Sequence, residues 1–254
     1  VTGKPDRLGG GTRSVASAKT AEVFARPFFT VGIVGKRCYV HPVNDTETVT
    51  VMPTQNPAKS PPNGAIPSRP QCLALIGEME MMAHILDHSL AVCHVALVLT
   101  DHLLAAGIAL DRGLVEAGAL LHDITKTRSL ATGEDHALSG GQWLSRRGYH
   151  AVAELVRQHV RLDCFDPAGR ITEAEVVNYA DKRVLHDKIV GLEDRMAYIW
   201  ERYGTTLDKQ ERIRRLASLV EMMEAKIFAP LTLAPEALTG LTFETGNRKL
   251  ETGN

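Results

Sequence analysis

From about Ser68 to Phe228 the chain keeps a helical apolar period, broken only at helix-stop signals, and this constrains the fold more than any other feature. Apolar residues that recur at three- and four-residue spacing can share a buried face only on a helix, which predicts an all-α bundle. The spacing predicts helices near 68–80, 82–106, 112–123, 136–147, 150–160, 172–187, 189–203 and 207–228. Gly107 and the run Arg146-Arg147-Gly148 read as stops. Thr172-Glu173-Ala174-Glu175 has the spacing of a capping box at the start of the sixth helix.

Several core-facing positions of these helices are polar. The seam Met81, Ile85, Val92, Val95, Leu99 has His88 in its gap, which aims one imidazole at the core. The segment 112–123 is apolar on nearly every side and ends in His122-Asp123, so two adjacent polar groups leave a central helix together. Val152, Leu155 and Val156 lead on one face to His159, and the stripe Val177, Val184, Leu185 contains Asp181. Asp135 is placed to N-cap the helix that begins at His136, and Gly140-Gly141 lets a neighbouring helix come close, which turns His136 inward. A core-facing carboxylate is expected to be neutralised by a metal, a cation or a proton, because burying an unpaired charge costs several kcal/mol.

Taken singly, a core histidine is more often a hydrogen-bonded structural residue than a ligand. His84, one turn before His88, is set aside because Ile85 fits the seam better and no glutamate stands beside His84. Together, His88, His122, Asp123, His136, His159 and Asp181 form a nitrogen and oxygen donor set without thiolate, suited to Fe, Mn, Co, Ni, Zn or Mg. Six donors exceed what one open catalytic ion needs, so the reading is two divalent ions bridged by Asp123.

The pieces His88-Ser-Leu-Ala-Val, Leu121-His122-Asp123-Ile124-Thr125-Lys126, Asp135-His136-Ala137, His159 and Ala180-Asp181-Lys182 follow the H…HD…H…H…D order of HD-domain proteins. Over roughly residues 67–190 the chain resembles that superfamily of metal-dependent phosphohydrolases. More narrowly, it is similar to the HDIG-type members and to the bacterial HD hydrolases that split diadenosine tetraphosphate symmetrically. Thr125 stands where the glycine of the HDIG pattern would be. The resemblance implies an HD-domain helical bundle in which metal-activated water attacks phosphorus in a nucleotide or dinucleoside polyphosphate, with catalysis centred on Asp123. Lys126 is then placed to stabilise charge on the phosphoryl oxygen, with Arg128, Lys182 and Arg183 as outer phosphate contacts. The same order also resembles the HD-type mixed-valent di-iron oxygenases. A non-catalytic nucleotide- or metal-sensing module is the third reading.

Composition limits the partners. The 29 basic and 30 acidic side chains nearly cancel, so neither nucleic acid nor an acidic membrane surface is expected at whole-chain level. The basic group Arg212, Arg214, Arg215 reads as a solvated helix face or a contact within a homo-oligomer. Four cysteines without C-x-x-C spacing (Cys38, Cys72, Cys93, Cys164) disfavour a disulfide framework and fit a reducing cytoplasm, where the protein is expected. Residues 1–66 are rich in breakers and read as an irregular N-terminal appendage. Within it, Phe28–Val34 and Arg37–Val43 suit a hairpin turning at Gly35-Lys36. The HD unit is expected over 67–230, followed by a tail at 231–254.

Overall fold

A computed structural model of the chain describes residues 65–241. Everything described belongs to one compact unit. The expected hairpin at 28–43 lies outside the described residues.

Among the described residues the architecture is an all-α bundle with one two-stranded ribbon. In order it contains α1 (Arg69–Glu78), α2 (Ala83–Ala105), α3 (Arg112–Leu121), α4 (Lys126–Thr132), α5 (His136–Arg146), α6 (His150–Gln158) and α7 (Glu173–Lys182). These are followed by β1 (Val184–Leu185), β2 (Lys188–Ile189), α8 (Leu192–Tyr203), α9 (Leu207–Phe228) and the short 3₁₀ helix Pro235–Gly240. Helix α2 is central and packs on α3, α7 and the ribbon, while α6 lies against α3, α5 and α7, and α9 covers α7. Val92, Val95 and Leu99 of α2 meet Val115, Leu120, Val156, Val176 and Met223 in one core cluster. By length and composition α2 is apolar enough to cross a membrane, but 56% of its apolar window is buried within the bundle.

Local signals start and stop the helices that matter for the site. Asp135 caps α5 by accepting from the N–H groups of Ala137 and Leu138, and Thr172 and Glu175 form the capping box of α7. Gly107 ends the turn after α2 with φ of 83°, a conformation glycine adopts without steric cost. Helices α5 and α6 are in close contact because Gly141 has no side chain. A Cβ there would lie 2.9 Å from the Ala153 carbonyl oxygen and 3.1 Å from Arg157 Cβ. Gly141→Ala is therefore expected to destabilise the protein by ~1–3 kcal/mol, because a backbone atom cannot move aside. Gly77→Ala, whose Cβ would meet nothing within 4 Å, is expected to be neutral or stabilising by ~0.5–1 kcal/mol. Urea unfolding of the two variants checks the opposite signs.

The structure differs from the sequence reading in two places. The helix expected over 172–187 ends at Lys182, and an antiparallel ribbon pairs Val184 with Ile189 and Leu185 with Lys188. A short apolar pair such as Val184-Leu185 suits either period, and contact of both strands with α2 selects the strand. Helix α4 was not expected because it buries no side chain and so has no apolar period, although Gly133 closes it in the left-handed conformation. Beyond α9 the chain still packs on the core, with Leu238 fully buried and Leu231, Leu233 and Leu241 against it. Cys72 and Cys93 are free and buried.

Candidate metal centre

Five helices deliver the six donor side chains to one place. His88 comes from the second turn of α2, His122 and Asp123 leave the C-terminal end of α3, and His136 opens α5. His159 is the C-cap of α6, and Asp181 lies in the last turn of α7. His122, Asp123, His159 and Asp181 are all buried. His136 keeps 18% of its side chain exposed and stands at the mouth.

The two oxygens of Asp123 face different partners. Oδ2 lies 3.5 Å from His122 Nε2, whereas Oδ1 lies 3.1 Å from His136 Nε2 and 3.5 Å from His159 Nε2. His88 Nε2 and His122 Nε2 lie 3.0 and 4.0 Å from Asp181 Oδ1. The result is two triads able to hold an ion, His88-His122-Asp123 and Asp123-His136-His159, each with its donor atoms within 4.8 Å of one another.

Three of the four imidazoles are held by their far nitrogen. Nδ1 of His88 donates to the His186 carbonyl at 2.7 Å, that of His122 to the Ala119 carbonyl at 2.8 Å, and that of His159 to the Val156 carbonyl at 2.6 Å. A carbonyl only accepts, so each Nδ1 carries a proton and each Nε2 is turned to the site, the form that binds a metal. His122 Nε2 is buried with no hydrogen-bond partner among the described residues. An orphaned, inward-facing imidazole nitrogen among carboxylates fits a cation better than an apolar core.

The electrostatics agree. Burial pushes His122 down to about 4, against the pull of the Asp123 charge, so it is neutral at pH 7. Burial works to raise Asp123, but the charge of His122 and the hydrogen bonds from His136 and His159 hold it well below the usual carboxylate value. Asp181 is likewise held low: burial opposes, and the Lys182 charge and the His88 hydrogen bond prevail. Burial lowers His88, yet the hydrogen bond and charge of Asp181 outweigh it, and its pKa ends raised.

These directions imply a pH dependence for the metal-free protein. A histidine depressed in the fold takes up its proton more readily when unfolded, so His122 makes stability fall as pH drops from about 6.5 towards about 4. His94, lowered by burial, acts in the same direction. His88, raised in the fold, contributes stability that is fully present below 6.5 and is lost as pH rises through its folded value. Asp123 and Asp181 lose theirs only below 3.8. Between pH 6.5 and 4, thermal unfolding of chelator-treated protein should therefore show falling stability, and His122→Asn should flatten most of that slope. An unchanged slope in His122→Asn would refute the assignment.

The four expected phosphate contacts separate. Lys126 is at the site, with Nζ 3.1 Å from His136 Nε2 and 3.9 Å from Asp123 Oδ1, and it is one-third exposed. Arg128 pairs with Glu134 near the surface. Lys182 is buried behind the site, donating to Asp181 Oδ2 at 2.7 Å and to the His159 carbonyl at 3.1 Å, so it braces two donors and does not face a ligand. Arg183, 2% exposed, turns away to Tyr179, Glu224 and the carbonyls of Val190 and Pro235. A guanidinium so enclosed is not available to a phosphate, which corrects the expectation for Arg183.

Three contributors were not foreseen. Thr125 Oγ1 donates to the His136 carbonyl at 2.8 Å and so fixes the start of α5. Asn178 Nδ2 donates to the His159 carbonyl at 2.9 Å. The His186 carbonyl, which holds His88, belongs to the ribbon that replaces the expected helix. Asn178 carried a readable signal, a polar residue inside the apolar run Val176 to Ala180. A backbone carbonyl leaves none.

Residues 85–184 match the HD domain family, and the matched stretch contains all six donors. The chain is 30% identical over 144 residues to a protein of Picrophilus torridus named tRNA (cytidine(56)-2'-O)-methyltransferase, a match covering 52% of this chain and 40% of that protein. It is also 30% identical over 165 residues to Ribonuclease Y of Acidothermus cellulolyticus, covering 63% of this chain and 30% of the relative. The chain thus spans less than half the length of these two curated relatives. No solved structure matches it.

Proposed function

We propose that this chain is a metal-dependent phosphohydrolase that binds two divalent ions and splits a phosphoester or phosphoanhydride bond in a nucleotide or dinucleoside polyphosphate. The observation that carries the reading is Asp123, whose two oxygens face two different histidine sets. The match to the HD domain family supports a metal-dependent hydrolase. His88, His122 and Asp181 would hold one ion, His136 and His159 the other, with Asp123 shared. When bound, such ions supply a nucleophilic water near neutral pH and polarise a phosphoryl oxygen.

The chain's own residues do the rest. The Nδ1–H bonds to backbone carbonyls fix the orientation of the inner imidazoles, with Nε2 turned to the site. Lys182 neutralises Asp181 from behind and leaves its other oxygen to face His88. Lys126 is the described cation nearest the mouth, and its ammonium is placed to donate to a phosphoryl oxygen as negative charge develops there.

A hydrolysis screen tests this, run on nucleoside mono-, di- and triphosphates, dinucleoside polyphosphates, cyclic dinucleotides and short RNA with Mn²⁺, Co²⁺, Zn²⁺, Mg²⁺ and Fe²⁺. RNA is included because one relative is named a ribonuclease, and a phosphodiester is within reach of the same chemistry. Release of phosphate or nucleotide that needs added metal is the expected result. Turnover that needs iron and O₂, or none on any phosphorylated compound, would overturn the proposal.

A further inference from the structure

We infer that the backbone carbonyl of His186, at the tip of the β1–β2 ribbon, is the positioning group for His88, and that the strained turn is there to hold it. This rests on the two-ion reading above. His122 and His159 obtain their carbonyl acceptors from the preceding turn of their own helices, three residues back. They do so at helix C-termini, where the carbonyls are more weakly bonded; that of Val156 receives the His159 N–H at 3.4 Å. His88 sits inside α2, where the carbonyls already accept along the helix, and its acceptor comes from another element. The acceptor is the His186 carbonyl, 2.7 Å from Nδ1, and it leaves Nε2 to face Asp181 Oδ1 at 3.0 Å.

The turn that delivers this carbonyl is unusual. His186 has φ of 57°, one of two positive values on non-glycine residues among those described. It is the first of two residues between the strands, a position that hairpins usually give to glycine when φ is positive. A residue with a Cβ stays in this region only where its surroundings over-determine it. Here the surroundings are identifiable. Arg183 Nε donates to the Val190 carbonyl at 2.9 Å and the Val190 N–H to the Arg183 carbonyl at 2.8 Å, which closes the base of the ribbon. The same guanidinium reaches Tyr179 and the Pro235 carbonyl, tying the ribbon to α7 and to the C-terminal 3₁₀ helix. At the tip, the His186 ring sits edge-on to Tyr198 at 5.6 Å between centroids. Arg183 thus acts on the site through the ribbon.

Calorimetric titration of the full chain with Mn²⁺ alone tests the inference. Proline fixes φ near −65°, so His186→Pro turns the carbonyl away, whereas His186→Gly removes the ring and keeps the carbonyl. His186→Pro is expected to weaken Mn²⁺ binding ~10–100-fold, and His186→Gly to bind like the wild type. Equal weakening in both variants, or in neither, overturns the inference while leaving the two-ion reading standing. No Mn²⁺ binding by the wild type removes both. Should His186→Pro fail to fold, ¹⁵N resonances of the His88 ring in the wild type loaded with Zn²⁺ decide: a protonated Nδ1 supports the inference, and an unprotonated Nδ1 overturns it.

Discussion

Asp123→Asn is expected to abolish hydrolysis of the best substrate found, whereas Lys126→Ala should lower it by ~10²–10³ and leave metal content unchanged. The contrast follows from where the two side chains stand. Asp123 turns Oδ2 to His122 and Oδ1 to His136 and His159, so it belongs to both halves of the centre. An amide in its place removes the negative charge and makes one face a donor, which repels a cation. Metal content should fall together with turnover. Lys126 lies 3.9 Å from Asp123 Oδ1 at a one-third-exposed position, and its ammonium cannot ligate an ion, so in the proposed reaction it acts on the substrate alone. Steady-state kinetics with elemental analysis of the same preparations reads both effects. Near-wild-type hydrolysis by Asp123→Asn would mean that the activity arises elsewhere.

Metal stoichiometry gives the second large effect. Protein reconstituted with Mn²⁺ or Zn²⁺ is expected to hold two ions per chain, and the double variant His136→Ala/His159→Ala one. The first set keeps His88, His122, Asp123 and Asp181 in that variant, enough donors for one ion with an open position. The second set keeps only Asp123 Oδ1. Chelation of the wild type should remove activity, and readdition of metal should restore it. One ion in the wild type, or no change in the double variant, would reduce the centre to the His88-His122-Asp123-Asp181 half. Hydrolysis that survives in the double variant would point to the same mononuclear centre.

The helical class and the inward placement of the six polar side chains were legible because they rest on local physics. Seam positions on either side of His88 mark the direction in which its Cβ points, and a carboxylate at a core position such as Asp181 needs a partner in any fold. Capping is local as well, so Asp135 and Thr172 located the starts of α5 and α7 from a few residues of sequence. Helix α4 escaped because it buries nothing. The ribbon escaped because its strands are two residues long, below the length at which alternation can be told from a helical run.

By itself, then, the sequence determined that a helical chain would bring four histidines and two aspartates inward, because periodicity and the cost of buried charge act residue by residue. Only the tertiary structure decided what the long basic side chains do. Periodicity says where a Cβ points, but a lysine or arginine end group travels several bonds further and stops at whichever acceptor the fold supplies. For Lys182 this was Asp181 and the carbonyl of His159, and for Arg183 it was Glu224 and Pro235, some 40 to 50 residues away in sequence. The division of Asp123 between two histidine sets was settled in the same way, by the meeting of α3 with α2 on one side and with α5 and α6 on the other.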